Sequence, residues 1–205
     1  MDLFGVPISI WHSLVVEEHT GIAVFLIISL VVRILADLVY RGPNQPVWKQ
    51  PLKLGLDFIA YAGSAAIVFF LIISGVTGYL IQPYSSLIAS PILMNKSLLA
   101  LGALFFWLAF FLVRFRSGPG LWEKKGLYVT EVITALLGIT FTALTASMGA
   151  ELMVGESAME PVYKALNFSW TTFLVDPLVI EVTVGLIVIG LIVVLLFPSR
   201  TKKSA

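Results

Sequence analysis

The side chains in this sequence whose chemistry extends beyond packing fall into two sets. The first surrounds the only two histidines, His12 and His19. Seven residues apart, they share one face of a continuous helix. Glu17 and Glu18 lie between them, and Met148 and Glu151 are expected at the same depth on a later helix. Imidazole with carboxylate suits zinc or another divalent cation, so His12, His19, Glu18 and Glu151 are candidate metal ligands. Imidazole with thioether suits copper or haem iron, which makes His19 and Met148 candidate ligands of copper or haem b. A bis-histidine haem held between helices draws its ligands from two of them, and the later spans contain no histidine. The bland reading is that His19 caps the first span at headgroup level while Glu17 and Glu18 face water.

The second set is Arg33, Asp37, Asp57 and Glu131. Each sits in or at the edge of a strongly apolar run, where an ionisable group is costly. Arg33 and Asp37 are four apart and can pair on one helix face. Asp57 and Glu131 lie about a turn inside two other runs. A proton path or a contact with anionic lipid is one use of such groups. An ion-pair cluster that fixes helix packing, with Arg33 satisfied by Asp37 or Glu131, is the structural one.

The elements that position these residues follow from composition. Of 205 residues, 59% are hydrophobic and 12% charged, about half the charged share of a soluble domain. With a mean hydropathy of +0.98, so much apolar surface needs lipid as its solvent. The expected fold is all-α: an integral membrane bundle of five transmembrane helices in a single domain, residues 1–205. The spans are expected at His19–Tyr40, Leu56–Gln82, Met94–Val113, Leu127–Met148 and Leu178–Phe197, each bounded by Pro, Gly or a charge cluster. Within the long fourth connection, residues 157–167 are expected to form a short surface helix. The absence of cysteine excludes disulfides and thiolate chemistry. A net charge of +1 gives no reason to expect a nucleic-acid partner. The opening residues Met1–Ser9 lack a basic residue and a cleavage pattern, so the first span reads as a retained anchor.

Basic residues set the expected orientation. Arg41, Lys49, Lys53, Arg114, Arg116, Lys124, Lys125, Arg200, Lys202 and Lys203 lie in three segments that five crossings place on one side. The opposite side holds Lys96 and Lys164. The positive-inside rule then puts the N-terminus outside and the C-terminal tail in the cytoplasm of a cell-membrane protein. Small and hydroxyl residues recur at Thr134, Gly138, Thr142, Thr145 and Gly149, and at Gly63, Ala66, Ser74 and Gly78. Such faces admit close helix approach, which places the second and fourth spans at the bundle centre and the fifth at its periphery.

Three stretches resemble a family of small predicted membrane proteins, domain of unknown function 2231. They are Phe4-Gly-Val-Pro7 followed by His12 and Glu17-Glu-His19, the end of the second span Ser74-Gly-Val-Thr-Gly78, and the exit Thr145-Ala-Ser-Met-Gly-Ala-Glu-Leu152. The likeness covers about residues 4–156. Ser13 stands where the family usually has Pro, and Lys96 or Ser97 where it often has a third-helix His. The resemblance implies a four-helix bundle with functional interest at the outer ends of the first and fourth helices, and no particular reaction. The expected function is a non-catalytic accessory subunit of a larger membrane assembly, respiratory or oxidase, with lipid and other membrane subunits as partners. A haem- or copper-binding electron-transfer protein is the alternative, and a small transporter the third.

Overall fold

The computed structural model describes residues 2–3, 5–39, 46–82, 84–118, 121, 124–155 and 160–165, together with Thr172, Asp176, Leu178, Val179, Val182, Thr183 and Gly185. It opens on a minimal antiparallel hairpin, β1 (Asp2–Leu3) and β2 (Val6–Pro7), with Asp2 opposite Pro7 and Leu3 opposite Val6. Gly5 turns the hairpin at φ 75°, a conformation in which a Cβ is strained. The described residues after it are helical or connecting: α1 (Ile8–Val39), α2 (Lys49–Ile81), α3 (Tyr84–Ala89), α4 (Pro91–Ser117), α5 (Lys125–Val154) and α6 (Glu160–Ala165).

Four of these helices, α1, α2, α4 and α5, are long and apolar enough to cross a membrane. They run well past the apolar spans expected from hydropathy, because polarity does not stop a helix and a breaker does. The third span continues four residues beyond Val113, through Arg114 and Arg116, until Gly118 at φ 66° ends it. The first begins at Ile8, directly after Pro7, with His12 and His19 both inside it. Gly155, left-handed at φ 74°, closes α5 with its N–H on the Glu151 carbonyl. Most of the fifth expected span lies outside the described residues. At its expected start the Asp176 carboxylate accepts from the Leu178 N–H at 2.9 Å, the bond an N-cap makes. Within residues 157–167, α6 is the helical portion, carrying an exposed Lys164–Glu160 pair at 2.6 Å. That carboxylate holds the Lys164 ammonium above its ordinary range, though an exposed pair adds little to stability.

The four long helices form a ring. α1 packs on α2 and α4 on α5, the two hairpins meet along α2 and α4, and α1 closes against α5. The second and fourth spans, α2 and α5, therefore lie diagonally across the ring rather than together at its centre. The core is built from Ala23, Leu26, Ala60, Ile67, Ala103, Trp107, Phe110 and Ala135. Its polarity is inverted relative to a soluble bundle. Ser29, Arg33, Asp57, Ser64, Asn95, Glu131, Thr142 and Ser147 point inward, while Phe25, Ile28, Phe58, Phe69, Phe105, Ile133 and Leu136 point outward. Water as the outer solvent penalises both choices, and hydrocarbon rewards both.

Small residues act as seats for large ones. A Cβ on Gly138 would stand 2.9 Å from the Trp107 indole, and one on Gly102 would overlap the Phe141 ring. Leu26 fills the space over Gly63. The small faces thus receive rings and branched side chains from the neighbouring helix, which tightens α4 on α5 in both directions.

Candidate functional site

Antiparallel packing sorts the polar interior into two ends. At one end stand Arg33, Lys49, Asp57, Arg114 and Glu131, all at or near the helix ends that carry the basic connections. At the other stand His12, Thr77, Asn95, Lys96 and Met148.

At the basic end, Asp57 of α2 and Arg114 of α4 form a two-pronged ion pair. Arg114 Nε donates to both carboxylate oxygens at 3.0 and 3.1 Å, and Nη2 donates to Oδ2. The guanidinium also lies over the Tyr61 ring, 5.5 Å from its centroid, one turn along from Asp57. Bidentate pairing and stacking are what a planar guanidinium does better than an ammonium. Asp57 is 3% exposed, so a bridge here needs every bond it makes. Glu131 of α5 is completely buried, and neither of its carboxyl oxygens has a hydrogen-bond partner among the described residues. The charges that act on it are those of Arg114 and Asp57. Arg33 of α1 is buried in the same half. The side chain of Asp37 lies outside the described residues, so its expected pairing with Arg33 does too.

Arg114 was not expected here. Hydropathy assigns it to the third connection, because the apolar run stops at Val113. The signal that finds it is the lack of any Gly or Pro before Gly118, which keeps Arg114 helical and turns it toward α2.

At the opposite end, His12 Nδ1 lies 2.9 Å from the Thr77 hydroxyl. Thr77 has one proton, and its Oγ1 is 2.9 Å from the Ile73 carbonyl, the usual helical back-bond. With that proton on the carbonyl, His12 donates from Nδ1 and Nε2 is the acceptor nitrogen. The ring lies over Gly78, where a Cβ would meet Cε1 at 3.3 Å. The side chain of His19 lies outside the described residues. Met148 is fully buried, packed with Leu99 and with Ile92, Phe141 and Leu144 around it. Glu18 is exposed and Glu151 half-buried. Among the described residues, no three His, Asp or Glu side chains gather closely enough to hold a metal ion. Asn95 is 1% exposed and donates to the Thr172 carbonyl at 2.8 Å, tying α4 to the segment before the fifth span.

Between the two ends, Trp107 Nε1 donates to Thr142 Oγ1 at 3.0 Å, and Thr142 donates to the Gly138 carbonyl at 2.8 Å. A single hydroxyl thereby satisfies a buried indole and itself. Compared with known proteins, the chain matches no family model, no curated protein and no solved structure.

Proposed function

We propose that this chain is a multi-pass protein of the cell membrane, with its N-terminus outside and its basic tail in the cytoplasm, serving as a non-catalytic accessory subunit of a larger membrane assembly. The observation that supports this reading best is how the interior polar groups are used. His12 is engaged by Thr77, Trp107 by Thr142, Asp57 by Arg114 and Asn95 by Thr172. These bonds join helix to helix or helix to connection, and they fix the bundle. The outward faces are apolar along all four long helices and offer lipid or a neighbouring helix the same kind of surface. A respiratory or oxidase complex is the assembly to test first.

The test is purification at native abundance in mild detergent, followed by mass spectrometry of the intact assembly. Other membrane subunits in stoichiometric amount are expected. A homogeneous preparation of this chain alone would sink the accessory reading. A second reading, electron transfer through haem b or copper, draws on the shared end of His12 and Met148. A Soret band or stoichiometric copper in the same preparation would put it ahead.

A further inference from the structure

We propose that Glu131 is a proton-binding site, holding its carboxyl as a neutral acid inside the bundle while Asp57 keeps Arg114. Glu131 is fully buried and both oxygens stand without a hydrogen-bond donor among the described residues. An ionised carboxylate in such a place is among the costliest groups a protein can hold, whereas the protonated form carries no net charge to solvate. The charged groups around it come from three helices. From α4, Arg114 faces Glu131 but directs Nε and Nη2 to Asp57. From α2, Asp57 presents a like charge. From α1, Arg33 is buried in the same half. On α5 itself, the Thr134 hydroxyl turns to the backbone carbonyls of Thr130 and Glu131 and away from the carboxyl.

Asp57 and Glu131 therefore both stand beside the Arg114 guanidinium, and a single proton decides which of them holds it. With the proton on Glu131, the Asp57–Arg114 pair is undisturbed. When the proton leaves to water at the basic end, Glu131 becomes a second carboxylate competing for Arg114, and α4 must repack between α2 and α5. The site thus couples proton uptake to helix arrangement, a property independent of which assembly the chain joins.

Infrared spectroscopy of the purified full chain reads the proton directly. A protonated carboxyl has a C=O stretch, separate from the carboxylate bands, that shifts on transfer to deuterated water. Wild-type protein is expected to show this band at neutral pH, Asp57→Asn to weaken it by freeing Arg114 for Glu131, and Glu131→Gln to fold and lose it. Because the native state holds a proton that the unfolded chain gives up in the ordinary carboxylate range, wild-type stability should fall as pH rises above that range and level off once Glu131 itself ionises. The Glu131→Gln variant should lack that part of the fall. No such band in wild type, or a band that survives Glu131→Gln, overturns the proposal. A Glu131→Gln chain that does not fold also counts against it, since a neutral isostere is what the site is said to hold. A Glu131→Asp chain in which the band moves in frequency supports it.

Discussion

Arg114 stands beside two carboxyls and pairs with one, which makes it the side chain whose removal should cost the bundle most. Arg114→Ala would remove the guanidinium from buried Asp57, and breaking such a pair costs about 3–5 kcal/mol. Thermal unfolding in detergent should show that loss, and Arg114→Leu combined with Asp57→Leu should recover much of it by removing both charges. Recovery of nothing would mean that the pair contributes more than mutual neutralisation. Thr142→Val is the corresponding test in the middle of the bundle. It keeps the shape and strands the Trp107 N–H, at a cost of about 1–3 kcal/mol, whereas Thr142→Ser should lie close to wild type. A Val variant as stable as wild type would show that the indole finds another acceptor. Composition and spacing singled out Asp57 and Glu131 as residues of consequence but could not tell their roles apart. The difference rests on Arg114, the first residue past the end of an apolar run, and on which carboxyl its fork reaches. Such information belongs to the meeting of three helices and is absent from any one of them.

Helices in this chain were legible as apolar runs, while their lengths and neighbours were not. Hydropathy marks where lipid must be, and α1 extends 11 residues before the expected start at His19 because nothing between Pro7 and His19 breaks a helix. The small-residue faces were also readable, but not their use. They imply close approach without saying whether backbone or a ring arrives, and here the arrivals are Trp107 over Gly138 and Phe141 over Gly102. This gives a graded expectation for glycine substitutions within one helical background. Gly138→Ala forces a methyl against a buried indole and should destabilise by about 1–3 kcal/mol. Gly78→Ala brings its methyl to 3.3 Å from His12 Cε1, a milder approach than at Gly138, and should cost less. Gly21→Ala meets nothing within 4 Å and should be neutral or stabilising by up to about 1 kcal/mol from helix propensity alone. Melting temperatures in one detergent check the order, and a Gly21 variant as damaged as the Gly138 variant would remove the packing explanation.

Across the whole molecule, the unequal division of basic residues is what the proposed orientation rests on, and the chain's lack of cysteine makes it easy to test. Lys125→Cys, at an exposed position, should react with an impermeant thiol reagent only after the cells are opened. Glu160→Cys, exposed on α6, should react in intact cells. The reverse pattern would turn the protein over in the membrane. Lys49 is only 3% exposed, so a cysteine there would stay silent on either side and should not be used. The seat of Trp107 has a consequence of a different kind. Of the three tryptophans whose surroundings are described, Trp11 is half-buried and Trp48 exposed near helix ends, while Trp107 is shut in the bundle centre. Its emission should be the bluest of the set and the least accessible to a water-soluble quencher. With the other tryptophans replaced by phenylalanine, the protein would carry a single built-in lamp at the contact of α4 and α5, one that reddens when those helices part and reports the opening of the bundle without any attached dye.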